Sequence, residues 1–341
     1  MKNRPLLPLF LALLFIALLT AGIHEIRVNV ASAPDYVKES TSEEVLIDVA
    51  PGATGSDIAN MLFNNGVVKS SESFFRIAVG DSRSGSIAPG VHRLQMKISA
   101  RQALVQLLDS ARIPGLVVVK EGVWRSEVFA QLLKAGFNAV ELKKSLPLLL
   151  LPKGFSGREG IFFPAHYSFP SGTLELGALQ SMVDRFTTEI SSTGLLAGAD
   201  GFSPMQLLTI ASLIQAEGDE IDFPKISQVI RNRLKVGMPL QLDTTIHFVK
   251  GTRGEIFLST QSTKLNSPYN TYMHYGLPPG PIGSPGRAAM EASMNPTAGD
   301  WIFFITVKPG DTRFTASNDE FLRWKKEYEI NLRAGLFGKS P

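Results

Sequence analysis

Short strands each followed by a short amphipathic helix, one unusually apolar capped helix, and a proline–glycine loop unsuited to either element predict an α+β fold. The strand-like runs are Val45–Val49 and Val117–Val119, the apolar helix lies between Ser203 and Gly218, and the loop runs from Gly276 to Gly286. At 341 residues the chain can hold more than one domain and bury a sizeable core. Its net charge of +3 is spread without a basic run or an aromatic-interleaved patch, which argues against nucleic acid as a partner. Cysteine is absent, so disulfides, thiolate metal sites and a cysteine nucleophile are excluded together. His24, His92, His166, His247 and His274 show no metal-ligand spacing, and neither a metal nor a cofactor is expected.

Pro5 to Ile23 is uncharged and rich in Leu, Ala and Phe, with Lys2 and Arg4 before it. Its 19 residues at about 1.5 Å each cover roughly 28 Å, close to the hydrocarbon thickness of a bilayer. The positive flank predicts a cytoplasmic N-terminus and an extracytoplasmic remainder. A cleaved signal peptide ending at Ala31-Ser32-Ala33 is the rival reading, but His24, Glu25 and Arg27 separate that site from the apolar run. The expectation is therefore a single-pass cell-membrane protein with its tip and anchor over 1–25 and a polar stalk over 26–44.

The strand Val45–Val49 turns at Pro51-Gly52 and leads into a helix from Ser56, ended by Gly66. Seventy positions later Gly122, Ser126, Leu132 and Gly136 repeat Gly52, Ser56, Leu62 and Gly66 without a gap. Two such units could share one sheet or lie in adjacent modules, and convergence of a common grammar is an equal alternative. Ser99 to Gln102 opens a further capped helix carrying Leu104, Leu107 and Leu108, which completes a module over 45–112. Residues 113–155 hold the second strand–turn–helix unit and a connection. Glu159–Pro164 and Tyr167–Pro170 are dense in aromatics and proline, reading either as a packed edge strand or as a wall for sugar rings. A helix is expected over Ala178–Ile190.

From Ser203 the local chemistry becomes unusual. Ser203 suits an N-cap, Pro204 the first helical position, Gln206 a capping box and Gly218 the stop. Glu217 shares the face of Leu213 and Ile214, so it is partly desolvated at the negative end of the helix dipole. Both effects favour the protonated form a general acid needs, whereas a solvated last-turn glutamate is the plain alternative. Beyond a helix over Phe223–Val236, whose Arg231 and Arg233 read as solvated or ion-paired, come Gln241, Asp243 and Thr245. They are polar groups for a polyol or merely turn chemistry, with Asp243 able to cap a helix from Thr244. Tyr269 and Asn270, with Thr271 and Tyr272, precede the Gly276–Gly286 loop, which either presents them to a cleft or simply girdles the core.

Ile210–Glu217, Leu240-Gln241-x-Asp243-x-Thr245, Ser267–Tyr272 and Gly276–Ile282, in that order, resemble the endolytic murein transglycosylases of the YceG-like, or MltG, family. The resemblance covers roughly residues 45–332. It implies a LysM-like α+β module followed by a mixed α+β catalytic domain over 156–335, with Glu217 as the catalytic acid and Gln241, Asp243, Thr245, Tyr269, Asn270, Thr271 and Tyr272 in the substrate site. It also implies cleavage of nascent peptidoglycan between N-acetylmuramic acid and N-acetylglucosamine, leaving 1,6-anhydro ends, beside the membrane and its peptidoglycan synthases. Several positions depart from the family pattern: Thr244 replaces proline, Phe248 an aromatic hydroxyl, Ala165-His166 an Asp-Thr pair, and a C-terminal histidine is missing near Thr312–Phe314. The alternative function is a non-catalytic, membrane-anchored glycan-binding scaffold. A pyridoxal-dependent lyase is rejected, since no Gly-rich phosphate loop or Schiff-base lysine stands out.

Overall fold

In a computed structural model, residues 33–36, 43–50, 52–170, 172–253 and 259–337 are described, so the expected anchor at Pro5–Ile23 lies outside the described residues. Among the described residues no helix is long and apolar enough to cross a membrane. The chain divides into two compact units, the first reaching Leu116 and taking back Tyr167–Ser171, the second holding Val117–His166 and Gly172–Pro341.

The first unit is built on an antiparallel pair, β1 (Glu44–Val49) and β2 (Gly90–Gln95), with Val49 opposite Gly90 and Ile47 opposite His92. Alternation turns Ile47 and Val49 inward, where they meet Leu94 and three helices. These are α1 (Gly55–Asn64), α2 (Ser71–Gly80) and α3 (Ala100–Leu108), which contribute Ile58, Leu62, Phe74, Leu104 and Leu107 to one core. Ser99 and Gln102 form the expected capping box on α3. Helix α2, with Ser70 as its cap, was not foreseen from the sequence. Part of the expected stalk is fastened to this unit. The Asp35 carboxylate accepts the Ala100 N–H at 3.0 and 3.2 Å, joining Ser99 at the N-terminus of α3, and Ser70 Oγ donates to the Pro34 carbonyl at 2.8 Å.

The 70-residue repeat is a repeat of local structure. Helix α1 and its counterpart α4 (Arg125–Lys134) start 70 positions apart, and Leu62 and Leu132 are both fully buried. Each helix closes with a left-handed glycine, Gly66 at φ +70° and Gly136 at φ +97°. The following N–H then reaches back, Val67 to Leu62 and Phe137 to Leu132. The N-caps are Thr54 and Trp124, two residues before the expected serines, each with an acidic partner three positions on. The two copies do not share a sheet: β1 pairs with β2, while β3 (Leu116–Val119) pairs with β4 (Ala165–Ser168).

In the second unit α5 (Ala139–Ser145) and α6 (Glu175–Ser192) precede a central helix, α7 (Pro204–Glu217). Every residue of α7 from Leu207 to Ile214 is buried, as expected of a helix enclosed on all sides. Helices α8 (Phe223–Lys235), α9 (Asp243–Lys250) and α10 (Arg287–Met294) pack around it. The chain closes with a hairpin of β5 (Phe303–Lys308) and β6 (Asp311–Thr315), covered by α11 (Asn318–Arg333). Neither the hairpin nor α11 was read from the sequence. Phe303 stacks on Phe321 with centroids 5.2 Å apart, whereas no residue of α11 is fully buried, so its hydrophobic stripe is faint.

Candidate active site

The capped start of α7 is as expected: Gln206 N–H donates to Ser203 Oγ at 3.3 Å, and Ser203 N–H donates to Gln206 Oε1 at 2.9 Å. Its end is not. Gly218 leaves the helix in extended backbone (φ −162°), which any residue adopts, so no left-handed stop is involved. Space is tight there, since a Cβ would lie 2.4 Å from Ile226 Cδ1 on α8 and the buried Ile226 side chain would have to shift.

Glu217 is partly exposed at the end of this buried helix. Its Oε1 accepts the Thr244 hydroxyl, and the Thr244 N–H bonds the same carboxylate, so Glu217 also sits at the first turn of α9. Burial pushes the Glu217 carboxyl up to about 7. The Thr244 bonds oppose that rise, the negative Asp243 adds to it, and the positive Arg233 opposes it. A carboxyl titrating near neutrality can both give and take a proton, which is what an acid that must later act as a base requires. Thr244, a departure from the family pattern, is thus in direct contact with the candidate acid.

Asp243 does not cap α9. The cap position belongs to Leu242, and the exposed Asp243 carboxylate instead accepts the Tyr272 phenol. Burial, this bond and the charges of Asp243 and Glu217 push the Tyr272 hydroxyl well above its ordinary value. Thr245 and Thr271 are buried and clamp the two segments together. Their hydroxyls are 3.0 Å apart, the Leu242 N–H donates to Thr271 Oγ1 at 3.0 Å, and Gln241 N–H donates to the Thr271 carbonyl at 3.0 Å. The side chain of Gln241 is exposed on a left-handed backbone, φ +46°. Such strain in a non-glycine residue costs about 1–3 kcal/mol and concentrates at functional sites.

Asn270, expected to meet glycan, is fully enclosed. Its amide donates to the carbonyls of Thr263 and Leu265 at 3.1 and 2.8 Å, and its Oδ1 accepts the Tyr272 N–H at 2.9 Å. It braces the loop that carries Tyr272. Tyr269 is half-buried with its ring 5.1 Å from Phe248, which lies one turn beyond Thr244 on α9 and 6.0 Å from Trp124. Tyr269 also neighbours Glu159, whose carboxyl burial raises to about 6 although it accepts the Arg125 N–H at 2.8 Å.

The Gly–Pro loop takes the core-girdling alternative from Gly280 onward. Gly280 to Gly286 are buried, with Ile282 N–H donating to Ser212 Oγ at 3.0 Å and Gly286 N–H to Gln215 Oε1 at 2.9 Å, both on α7. Ile161, Phe162 and Phe163 are likewise buried, which favours packing over sugar stacking for that run. Two residues near the acid are not marked as part of the site by the sequence. Arg233, which reads as solvated or ion-paired, is buried and donates to the Leu240 and Ile302 carbonyls. Tyr328 on α11 approaches Asp243 closely enough for that charge, with burial as the main cause, to raise its hydroxyl. Only the long-range fold brings these together, and no local signal marks either. Among the described residues no group of three metal-ligating side chains occurs.

The first unit has its own concavity of about 350 Å³, lined by Val49, Ala53, Phe74, Phe75, Val79 and Ile87 around the β1–α1 and α2–β2 connections.

A model of the YceG-like family matches residues 47–327. An endolytic murein transglycosylase of Bacillus subtilis (strain 168) is 29% identical over 317 residues, covering 86% of this chain and 87% of that protein. A protein of the same name from Streptococcus pneumoniae serotype 2 (strain D39) is 27% identical over 345 residues, covering 90% of this chain and 62% of the pneumococcal protein. A crystal structure of a putative yceG-like protein from Listeria monocytogenes superposes with a TM-score of 0.56 over 83% of this chain and 99% of its own, at 22% identity, which is a likeness of fold.

Proposed function

This chain belongs to the YceG-like family, and we propose on that footing that it is an endolytic murein transglycosylase with Glu217 as its single catalytic carboxyl. The observation that carries the reading is the Glu217 carboxyl itself: reachable from solvent, fixed by Thr244, and balanced near pH 7 by burial. Protonated Glu217 gives its proton to the glycosidic oxygen between N-acetylmuramic acid and N-acetylglucosamine as the C1–O bond breaks. The resulting carboxylate takes the proton from the muramic acid O6 as that oxygen attacks C1. The new bond closes a 1,6-anhydro ring, Glu217 regains its proton, and no water is consumed. Because the nucleophile is intramolecular, proximity replaces the second carboxylate that a hydrolytic glycosidase needs.

The remaining parts of the proposal follow from this chemistry. The exposed side chain of Gln241 and the half-buried Tyr269 are the polar and aromatic contacts for the strand, while Thr245, Thr271 and Asn270 hold them in register. The first unit is a LysM-like module, and the groove at its β1–α1 and α2–β2 connections takes glycan. Anchoring through Pro5–Ile23 keeps both units outside the cytoplasm beside the synthases that release nascent strands. The test is to incubate the purified full chain with uncrosslinked glycan strands and weigh the products. Anhydro ends, one water lighter than reducing ends, are expected from the natural chain and not from Glu217→Gln. Reducing ends would make it a hydrolase, and intact strands a scaffold.

A further inference from the structure

Asp243 is an exposed carboxylate that does not cap its helix and, among the described residues, forms no ion pair, yet its position is held from several sides. Tyr272 donates its phenol to it, and Tyr272 is itself set by the Asn270 Oδ1 bond and by the Thr271 clamp on residues 241–245. Thr244, the next residue along α9, is the one bonded to Glu217. The two carboxyl groups are therefore tied to consecutive positions of one rigid helix start.

The surroundings are sparse in compensating charge. Facing Glu217 are Asp243 from α9, Tyr272 from the following loop and Arg233 from α8, with Asp219 and Glu220 exposed beyond the end of α7. Facing Asp243 are Tyr272 and, from α11, Tyr328, both neutral phenols. Arg233 donates to two backbone carbonyls and lies buried behind the site. A like charge beside a carboxyl favours its protonated form, and it equally makes the ionised form a stronger base.

We propose that Asp243 is a positioning residue for the proton of Glu217, its carboxylate fixed by the Tyr272 phenol so that Glu217 holds its proton until the glycosidic oxygen takes it and then recovers one from O6. Asp243 touches neither reacting oxygen. The substrate-binding role expected from the sequence is thereby replaced by an electrostatic one. The inference rests on Glu217 being the acid, and its test has one arm that does not.

Titrating the carboxyl carbons of the intact, glutamate-labelled chain, with Glu217→Gln to assign the signal, reads the Glu217 proton without substrate. Asp243→Asn is expected to move that midpoint to lower pH, and Asp243→Glu, which restores the charge, to move it back. The high-pH limb of kcat/KM for glycan cleavage should move with it. Well above the limb, each half unit of displacement reads as about threefold less turnover. An unmoved midpoint in Asp243→Asn overturns the proposal, as does a raised KM with the limb unshifted, which is the mark of a substrate contact. A midpoint that moves in a chain forming no anhydro ends would leave Asp243 in this role and instead overturn the transglycosylase reading.

Discussion

Replacing Glu217 by glutamine should abolish glycan cleavage and, at neutral pH, make the second unit more stable. The unfolded chain ionises this carboxyl near 4.5, whereas the fold raises it to about 7. That displacement of about 2.5 units corresponds to roughly 3 kcal/mol against the folded state once the group is ionised in both, since each unit is worth about 1.4 kcal/mol. The sign follows from proton uptake. Between pH 4.5 and 7 the native state binds more protons than the unfolded one, so stability falls as pH rises and levels off above pH 7. Glutamine keeps the shape and can accept the Thr244 hydroxyl, but it has no charge to bury. The variant and the natural chain should therefore melt alike near pH 4.5 and diverge towards pH 8. For a unit of 150–250 residues the gap grows by ~2–4 °C per kcal/mol. The assay is a calorimetric pH series that follows the transition of the second unit, alongside cleavage, where loss of a general acid costs about 10²–10⁴-fold. A melting difference that stays constant from pH 5 to 8 would refute the claim that burial holds the proton, and residual cleavage within a few-fold would refute the acid itself.

Three further outcomes follow from the same geometry. Asn270→Ala removes the three hydrogen bonds that an enclosed side chain makes to partly buried backbone groups, at about 0.5–1.5 kcal/mol each, so melting temperature and turnover should fall together; an unchanged melt would remove Asn270's role as a brace. Gly218→Ala forces a methyl against Ile226 and should destabilise by about 1–3 kcal/mol, with Ile226→Val, which deletes the contacted atom, recovering part of the loss in the double variant; no recovery would mean the constraint lies elsewhere. Gln241→Gly relieves the left-handed strain, so the melt should hold or rise by up to about 1 kcal/mol while cleavage falls, and unimpaired cleavage would deny the side chain any contact with glycan.

The parts of this chain legible in its sequence are those governed by short-range chemistry. The Ser203 box, the buried run of α7 and the paired strand–turn–helix units depend on capping, periodicity and glycine, all local, and they stand where expected. Thr244 stands out in the sequence only as a departure from the family's proline, whereas in the fold its hydroxyl reaches Glu217 across 27 positions, a contact no window of sequence contains. Arg233 reads as solvated or ion-paired because arginine usually is one or the other; its burial goes with the carbonyls of Leu240 and Ile302 converging on it. Asn270 was rightly marked as unusual and given the wrong neighbours, since a buried amide and a sugar-binding amide look identical until their partners are known. The reading of Gly218 as a helix stop had the right place and the wrong reason.

The fastening of Pro34 and Asp35 to the first unit turns a stalk into a leash of calculable length. Under the anchoring proposed above, which ends at Ile23, the ten steps to Ala33 span at most ~36 Å of chain. On that proposal the N-terminus of α3 would sweep only a shallow layer above the lipid. Glycan further from the bilayer would pass out of reach of the groove proposed for the first unit, so the depth at which that unit captures a strand would be a property of the tether. Inserting residues between Ile23 and Ala33 should deepen that layer in proportion, without altering a single atom of the site.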